Sequence, residues 1–150
     1  MGLINEISQS IKTAMKAKNV QALESLRAIK SALLLAQTQK GASLDIARED
    51  EIKILQKLVK QRKESAEIYI SQNRNDLAEI EINQAKVIEE FLPEQVSSYE
   101  IEKIISDIIK EINAQGMKDM GKVMGMASSK LSGKADGKTI SNIVRAKLNQ

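Results

Sequence analysis

The sequence holds no cysteine and no histidine in 150 residues. The first absence excludes disulfides, thiolate catalysis and Cys-ligated zinc, and fits a reducing cytoplasm. The second removes the commonest general base near neutral pH, the commonest metal ligand and every His-dependent triad. Aromatic residues are nearly missing as well, with one Phe, two Tyr and no Trp. Tyr69, Phe91 and Tyr99 are too few and too scattered to stack RNA bases, so base-specific reading is not expected. One proline and seven glycines argue against a turn-rich β architecture. No uncharged apolar run approaches the roughly 20 residues that cross a bilayer. The opening MGLINEISQS lacks the succession of a signal peptide. The expectation is a cytoplasmic protein that uses no membrane, metal or cofactor.

What is present is aliphatic and charged. The length admits one ordinary domain, or two small helical subdomains, with an Ile/Leu/Met core. Charged residues make up 29% and the net charge is +3, but the distribution is uneven. Residues 1–112 carry sixteen basic and eighteen acidic side chains, a balance of −2. Residues 113–150 carry seven basic side chains against Asp119 and Asp136, a balance of +5. A basic tail points to a polyanionic partner or to a solvated basic face.

Apolar residues recur at helical spacing throughout. Ile4, Ile7, Ile11, Ala14 and Met15 define a first helix ending near Asn19. Leu23, Leu26, Ile29, Leu33 and Leu34 define a second, closed by Lys40 and a permissive Gly41. After a loop over Gly41–Ser43, the longest segment runs from Asp45 to Gln72, with Ile52, Leu55, Val59, Ala66 and Ile70 on one stripe. Lys53, Lys57 and Lys60 fall on its solvent side. Leu77, Ile80, Ile88 and Phe91 give a fourth helix, and the single proline, Pro93, interrupts the pattern. Ser97 and Glu100 have capping-box spacing ahead of Ile101, Ile104, Ile105, Ile108 and Ile112. Met120, Val123, Met124, Ala127 and Leu131 follow, then Ile140, Ile143, Val144 and Leu148. The prediction is an all-α, multihelical chain of two different helical subdomains: about four helices over 1–92 and a basic three-helix unit over 93–150.

Five segments resemble the GatB/YqeY family in order and spacing: LRAIKSAL (26–33), LVKQRKESAEIY (58–69), FLPEQ (91–95), KDMGKVMG (118–125) and GKADGKTISNIV (133–144). They cover the chain nearly end to end. The resemblance implies a two-subdomain helical fold, similar to the C-terminal tail of the B subunit of the tRNA-dependent amidotransferase. That tail helps hold tRNA, while amide transfer occurs elsewhere in the enzyme. A carbon–nitrogen ligase label with glutamine as amide donor would follow by inheritance alone.

Site candidates come from the basic tail and the motifs. Gly121 and Gly125 share one helix face, where each costs roughly 1 kcal/mol against Ala. Either a second helix crosses closely there, or a nucleic-acid phosphate or sugar approaches the backbone beside Lys118 and Lys122. Gly133 and Gly137 bracket a turn in which Asp136 is placed to cap the last helix. Lys134 and Lys138 flank that helix start, whose N–H groups and dipole suit a phosphate. The segment is no P-loop, being one residue short of the required glycine spacing. Lys130, Arg145, Arg62 and Lys63 complete the RNA-binding candidates. Arg27 is open to RNA or to an ion pair with Glu64 or Glu67. The adjacent carboxylates Asp50-Glu51 and Glu89-Glu90 diverge by about 100° and read as solvated faces rather than an acid/base pair.

The leading expectation is therefore a non-catalytic accessory protein for tRNA or another structured RNA. The alternative is a protein-interaction module that docks on a synthetase or amidotransferase through an apolar groove between subdomains. No catalytic residue is assigned.

Overall fold

The computed structural model describes residues 2–41 and 45–149; Ala42 and Ser43 of the expected second loop lie outside them. The chain divides into two compact units, Met1–Leu92 and Pro93–Gln150. All regular structure in the described residues is helical.

The first unit holds α1 (Leu3–Lys16), α2 (Val20–Lys40), α3 (Arg48–Ser71) and α4 (Asn75–Glu89). Three-residue turns join α1 to α2 and α3 to α4, so each pair folds back as a hairpin. Both turns use a left-handed residue, Lys18 and Asn73. Asn19, expected to end the first helix, instead starts the second: its Oδ1 accepts the Ala22 N–H at 3.1 Å. The core is the expected aliphatic one, with Ile7, Ile29, Leu33, Leu55 and Ile88 fully buried. Each such side chain stabilises the unit by about 1.5–3 kcal/mol relative to exposure.

Four stripe members are exposed rather than buried. Met15, Leu34, Ile70 and Ile80 are exposed, because each lies at the margin of its apolar arc. The third helix starts at Arg48 rather than Asp45. The larger correction concerns Glu51, read from sequence as part of a solvated carboxylate pair. It is 6% exposed, and its Oε2 accepts the Leu3 N–H at 2.9 Å. Nothing in α1's own first turn caps that helix, since Gly2 occupies the N-cap position. A carboxylate from α3 does it instead, where the helix dipole favours negative charge. Glu89 is likewise engaged, with Lys63 Nζ at 2.8 Å.

The second unit holds α5 (Ser98–Ile112), α6 (Met120–Lys130) and α7 (Gly137–Leu148), with a short 3-10 turn at Met117–Asp119. Ser97 accepts the Glu100 N–H at 3.3 Å, the hydroxyl half of the expected box. Ile101, Ile105 and Ile108 pack against Val123, Ala127 and Leu131 of the α6 segment and Ile140, Val144 and Leu148 of α7. Asn113 ends α5 in the left-handed region at φ 54°, a conformation Asn tolerates better than most residues. Asp119 then braces the bend by accepting the Gln115 N–H at 2.7 Å.

Candidate nucleic-acid interface

The three elements that carry the basic candidates are α6, α7 and the loop between them. On α6, Val123 and Ala127 are buried, which sets the opposite face outward. That face consists of Gly121, Lys122, Gly125, Ser128 and Ser129, all exposed. A Cβ built on Gly121 or Gly125 meets nothing within 4 Å. The alternative of a close helix crossing is thereby overturned: no neighbouring helix needs the space. Helical backbone lies bare at the surface, bordered by Lys122 and, one turn ahead, by the exposed Lys118.

The loop from Leu131 to Asp136 alternates in burial. Leu131, Gly133 and Ala135 face inward, while Ser132, Lys134 and Asp136 face outward. Gly133 adopts φ 75°, where a side chain would be strained, so its role is the turn itself rather than an exposed backbone surface. The loop is held from the start of the unit. Gln95 Nε2 donates to the Gly133 carbonyl at 2.9 Å and to the Pro93 carbonyl at 2.8 Å. Beside it, the Val96 N–H donates to the Lys134 carbonyl at 2.9 Å. Two motifs that are 38 residues apart in sequence thus form one clamp, which fixes where Lys134 projects. Gln95 was not among the sequence candidates, and no spacing rule could have paired it with Gly133.

Asp136 stands at the N-cap position of α7 with extended backbone, but its side chain makes no capping hydrogen bond, contrary to expectation. The first N–H groups of α7 thus lack the Asp136 side chain as a partner, and Gly137 leaves open space beside them. Lys134 and Lys138 flank this helix start. Seven residues on, Arg145 returns to the Lys138 face, about 10 Å along the axis.

The candidates divide by what they touch. Lys118, Lys122, Lys134, Lys138 and Arg145 are exposed and have no acidic partner within 4.0 Å among the described residues. Lys130 meets Glu111 of α5 at 3.9 Å, an exposed pair worth little. Arg62 and Lys63 belong to the first unit and are engaged there. Arg62 is half-buried, donating to the Leu58 carbonyl at 3.1 Å and to Gln84 Oε1 at 3.2 Å. Gln84 in turn donates to Glu24 at 3.2 Å. Arg27 forms no ion pair with Glu64 or Glu67; Glu64 faces Lys60 at 4.0 Å instead.

Charge within the second unit is segregated by element. Residues 93–112, chiefly α5, carry five acidic and two basic side chains, whereas 113–150 carry the +5. Of the aromatics only Tyr99 lies in this unit, and it is 76% exposed. No group of three or more acidic side chains among the described residues could hold a metal ion. No helix among the described residues is long and apolar enough to cross a membrane.

Comparison with known proteins adds one family and three relatives. The family described as Yqey-like protein matches residues 4–148. The Meyerozyma guilliermondii protein named altered inheritance of mitochondria protein 41, mitochondrial, is 33% identical over 129 residues, 82% of this chain and 65% of that protein. The E subunit of glutamyl-tRNA(Gln) amidotransferase from Thermococcus gammatolerans is 41% identical over 70 residues, 44% of this chain and 11% of that protein. Its Methanocaldococcus jannaschii counterpart is 46% identical over 59 residues, 37% of this chain and 9% of that protein. The chain thus spans just under two thirds of the mitochondrial relative and about a tenth of the amidotransferase relatives. The latter are E subunits, where the sequence resemblance named the B subunit.

Proposed function

The chain belongs to the Yqey-like protein family, and on that premise we propose that it is a non-catalytic accessory protein that binds tRNA through residues 113–150. The observation that carries this reading is the bare backbone at Gly121 and Gly125 on the outer face of α6, with Lys118 and Lys122 beside it and Lys134, Lys138 and Arg145 on the adjoining loop and α7. Bare helical backbone admits a sugar-phosphate chain closer than any larger residue would, and unpaired lysines supply its counter-charge. With a single aromatic in the unit, recognition proceeds through phosphate and shape rather than base stacking. The names of the amidotransferase relatives support tRNA as the RNA and an amidotransferase complex as the setting. Amide transfer by this chain alone has no supporting residue; incubation with glutamine and mischarged tRNA is expected to yield no amidated product.

The test is retardation of tRNA by the purified protein at about 50 mM salt, followed by a salt titration. Binding that weakens with salt supports the reading, provided that Lys122→Ala, Lys134→Ala and Lys138→Ala each reduce the slope by roughly 0.9 for every phosphate no longer neutralised. Arg62→Ala and Lys63→Ala are expected to leave the slope unchanged. Absence of any retardation would overturn it. The reading places the protein in the cytoplasm; because three relatives are named as mitochondrial, fractionation of a tagged copy decides between the two compartments.

A further inference from the structure

One face of α1 beside its core stripe is left open. Glu6, Gln9, Ser10, Thr13 and Ala17 share it at helical spacing. Facing them are Ala22 and Leu26 of α2, with Val87, Glu90 and Phe91 at the end of α4, and the space between is a groove of about 600 Å³. From Glu6 to Ala17 it runs roughly 16 Å, three helical turns. Its floor is apolar: Ala14 and Leu26 are buried, Val87 and Phe91 half-buried.

The polar groups along it are not equivalent. Thr13 Oγ1 donates to the Gln9 carbonyl at 3.2 Å, and Asn19 Oδ1 accepts the Ala22 N–H, so both are satisfied within their own hairpin. The Glu6 and Glu90 carboxylates have neither an ion-pair nor a hydrogen-bond partner among the described residues, and no Lys or Arg lines the groove. What the groove leaves unanswered is an apolar floor and two negative charges.

We propose that this groove docks a basic amphipathic helix of a partner protein, with its apolar stripe on the Leu26–Phe91 floor and Lys or Arg side chains on Glu6 and Glu90. Three turns is the length over which a helix presents anchors at i, i+3 or i+4, i+7 and i+11. An extended peptide would need a free sheet edge for its backbone, and helical walls offer none. RNA is repelled by the two carboxylates. Complementary charge sets both the encounter rate and the orientation of such a helix. The groove lies wholly within the first unit, so this docking stands or falls separately from tRNA binding.

The experiment measures fluorescence anisotropy of labelled peptides of about 18 residues, five turns, with the full chain. One peptide is an amphipathic Leu/Ala/Lys helix, the second carries Glu for every Lys, and the third is the first one scrambled. The basic helix is expected to bind saturably in the micromolar range and the other two not. Ala17→Trp, which fills the exposed end of the groove, and the double variant Glu6→Gln with Glu90→Gln, which removes the charge at constant shape, should each weaken binding roughly tenfold or more. Helical circular dichroism and the thermal midpoint serve as the folding check; should Ala17→Trp fail it, the double Gln variant decides alone. No binding of the basic helix, equal binding of the scrambled or acidic peptide, or insensitivity to the double variant overturns the proposal. So does spermidine shifting the α1 and Phe91 amide resonances when the helix shifts none, which would make the groove a small-amine site.

Discussion

The carboxylate of Glu51 accepts the backbone N–H of Leu3 at 2.9 Å across 48 positions of sequence. A helix start is completed by a side chain from another helix, which ties the α1–α2 hairpin to the start of α3. Glu51→Ala leaves a buried donor unpaired and is expected to cost about 1–3 kcal/mol in urea denaturation. Glu51→Gln keeps an acceptor and should cost less. Unchanged stability in both variants would remove the cap from the account of the fold.

Gly125 lies inside α6 with open space where a Cβ would stand. Gly125→Ala should therefore stabilise the protein by up to about 1 kcal/mol, and Gly121→Ala by less because it sits in the first turn. If the bare face receives a sugar-phosphate chain, the same substitutions weaken tRNA binding. Stability rising while affinity falls, in calorimetry and retardation assays of the same preparations, is the expected signature. Affinity unchanged in both variants separates the glycines from RNA contact.

Gln95 joins the Pro93 and Gly133 carbonyls through one amide group. Gln95→Ala removes both hydrogen bonds and is expected to cost about 1–3 kcal/mol in all, given roughly 0.5–1.5 kcal/mol for each. Hydrogen exchange should report the change first at the Lys134 and Val96 amides. Gln95→Glu presents no N–H to the carbonyls and should resemble Ala; near-native exchange in Glu would contradict the donor role.

Asp50 titrates below its ordinary value of 3.8, chiefly through a hydrogen bond from Lys40 and then through that cation's charge. Its contribution to stability is present above pH 3.8 and is lost as pH falls through the lowered folded value. The difference in thermal midpoint between the parent and Asp50→Asn should be constant near neutrality and shrink below that pH. Both partners face solvent, so the difference is small and diminishes with salt. Asp76, held down by Arg74, behaves with the same sign.

Much of this was legible in the residues. Isoleucines at 101, 105 and 108 advance by three and four, and no packing arrangement other than a helix with one buried face satisfies that period. Ser97 carries its cap in its own chemistry, because the partner N–H is three residues away. The concentration of lysine after residue 113 is a fact of composition. Local periodicity does not say how wide the covered arc is, which is why Met15, Leu34, Ile70 and Ile80 stand outside the core.

The candidate site was legible only as a set of residue types. Gly121 and Gly125 read identically whether a helix or open solvent lies across from them, and only the placement of α5 and α7 on the other side of α6 chose solvent. Arg62 and Lys138 are equally cationic in sequence, yet Leu58 and Gln84 engage one and leave the other outward. Sequence by itself determined the helices, their aliphatic faces and the basic tail, since these depend on neighbours within a turn or on counting charges. Tertiary structure alone decided that Glu51 caps a distant helix, that Gln95 clamps a distant loop and that Glu6 and Glu90 border an open groove. Each of those facts joins residues tens of positions apart, and such meetings are set by which helix faces bury one another, not by any spacing along the chain.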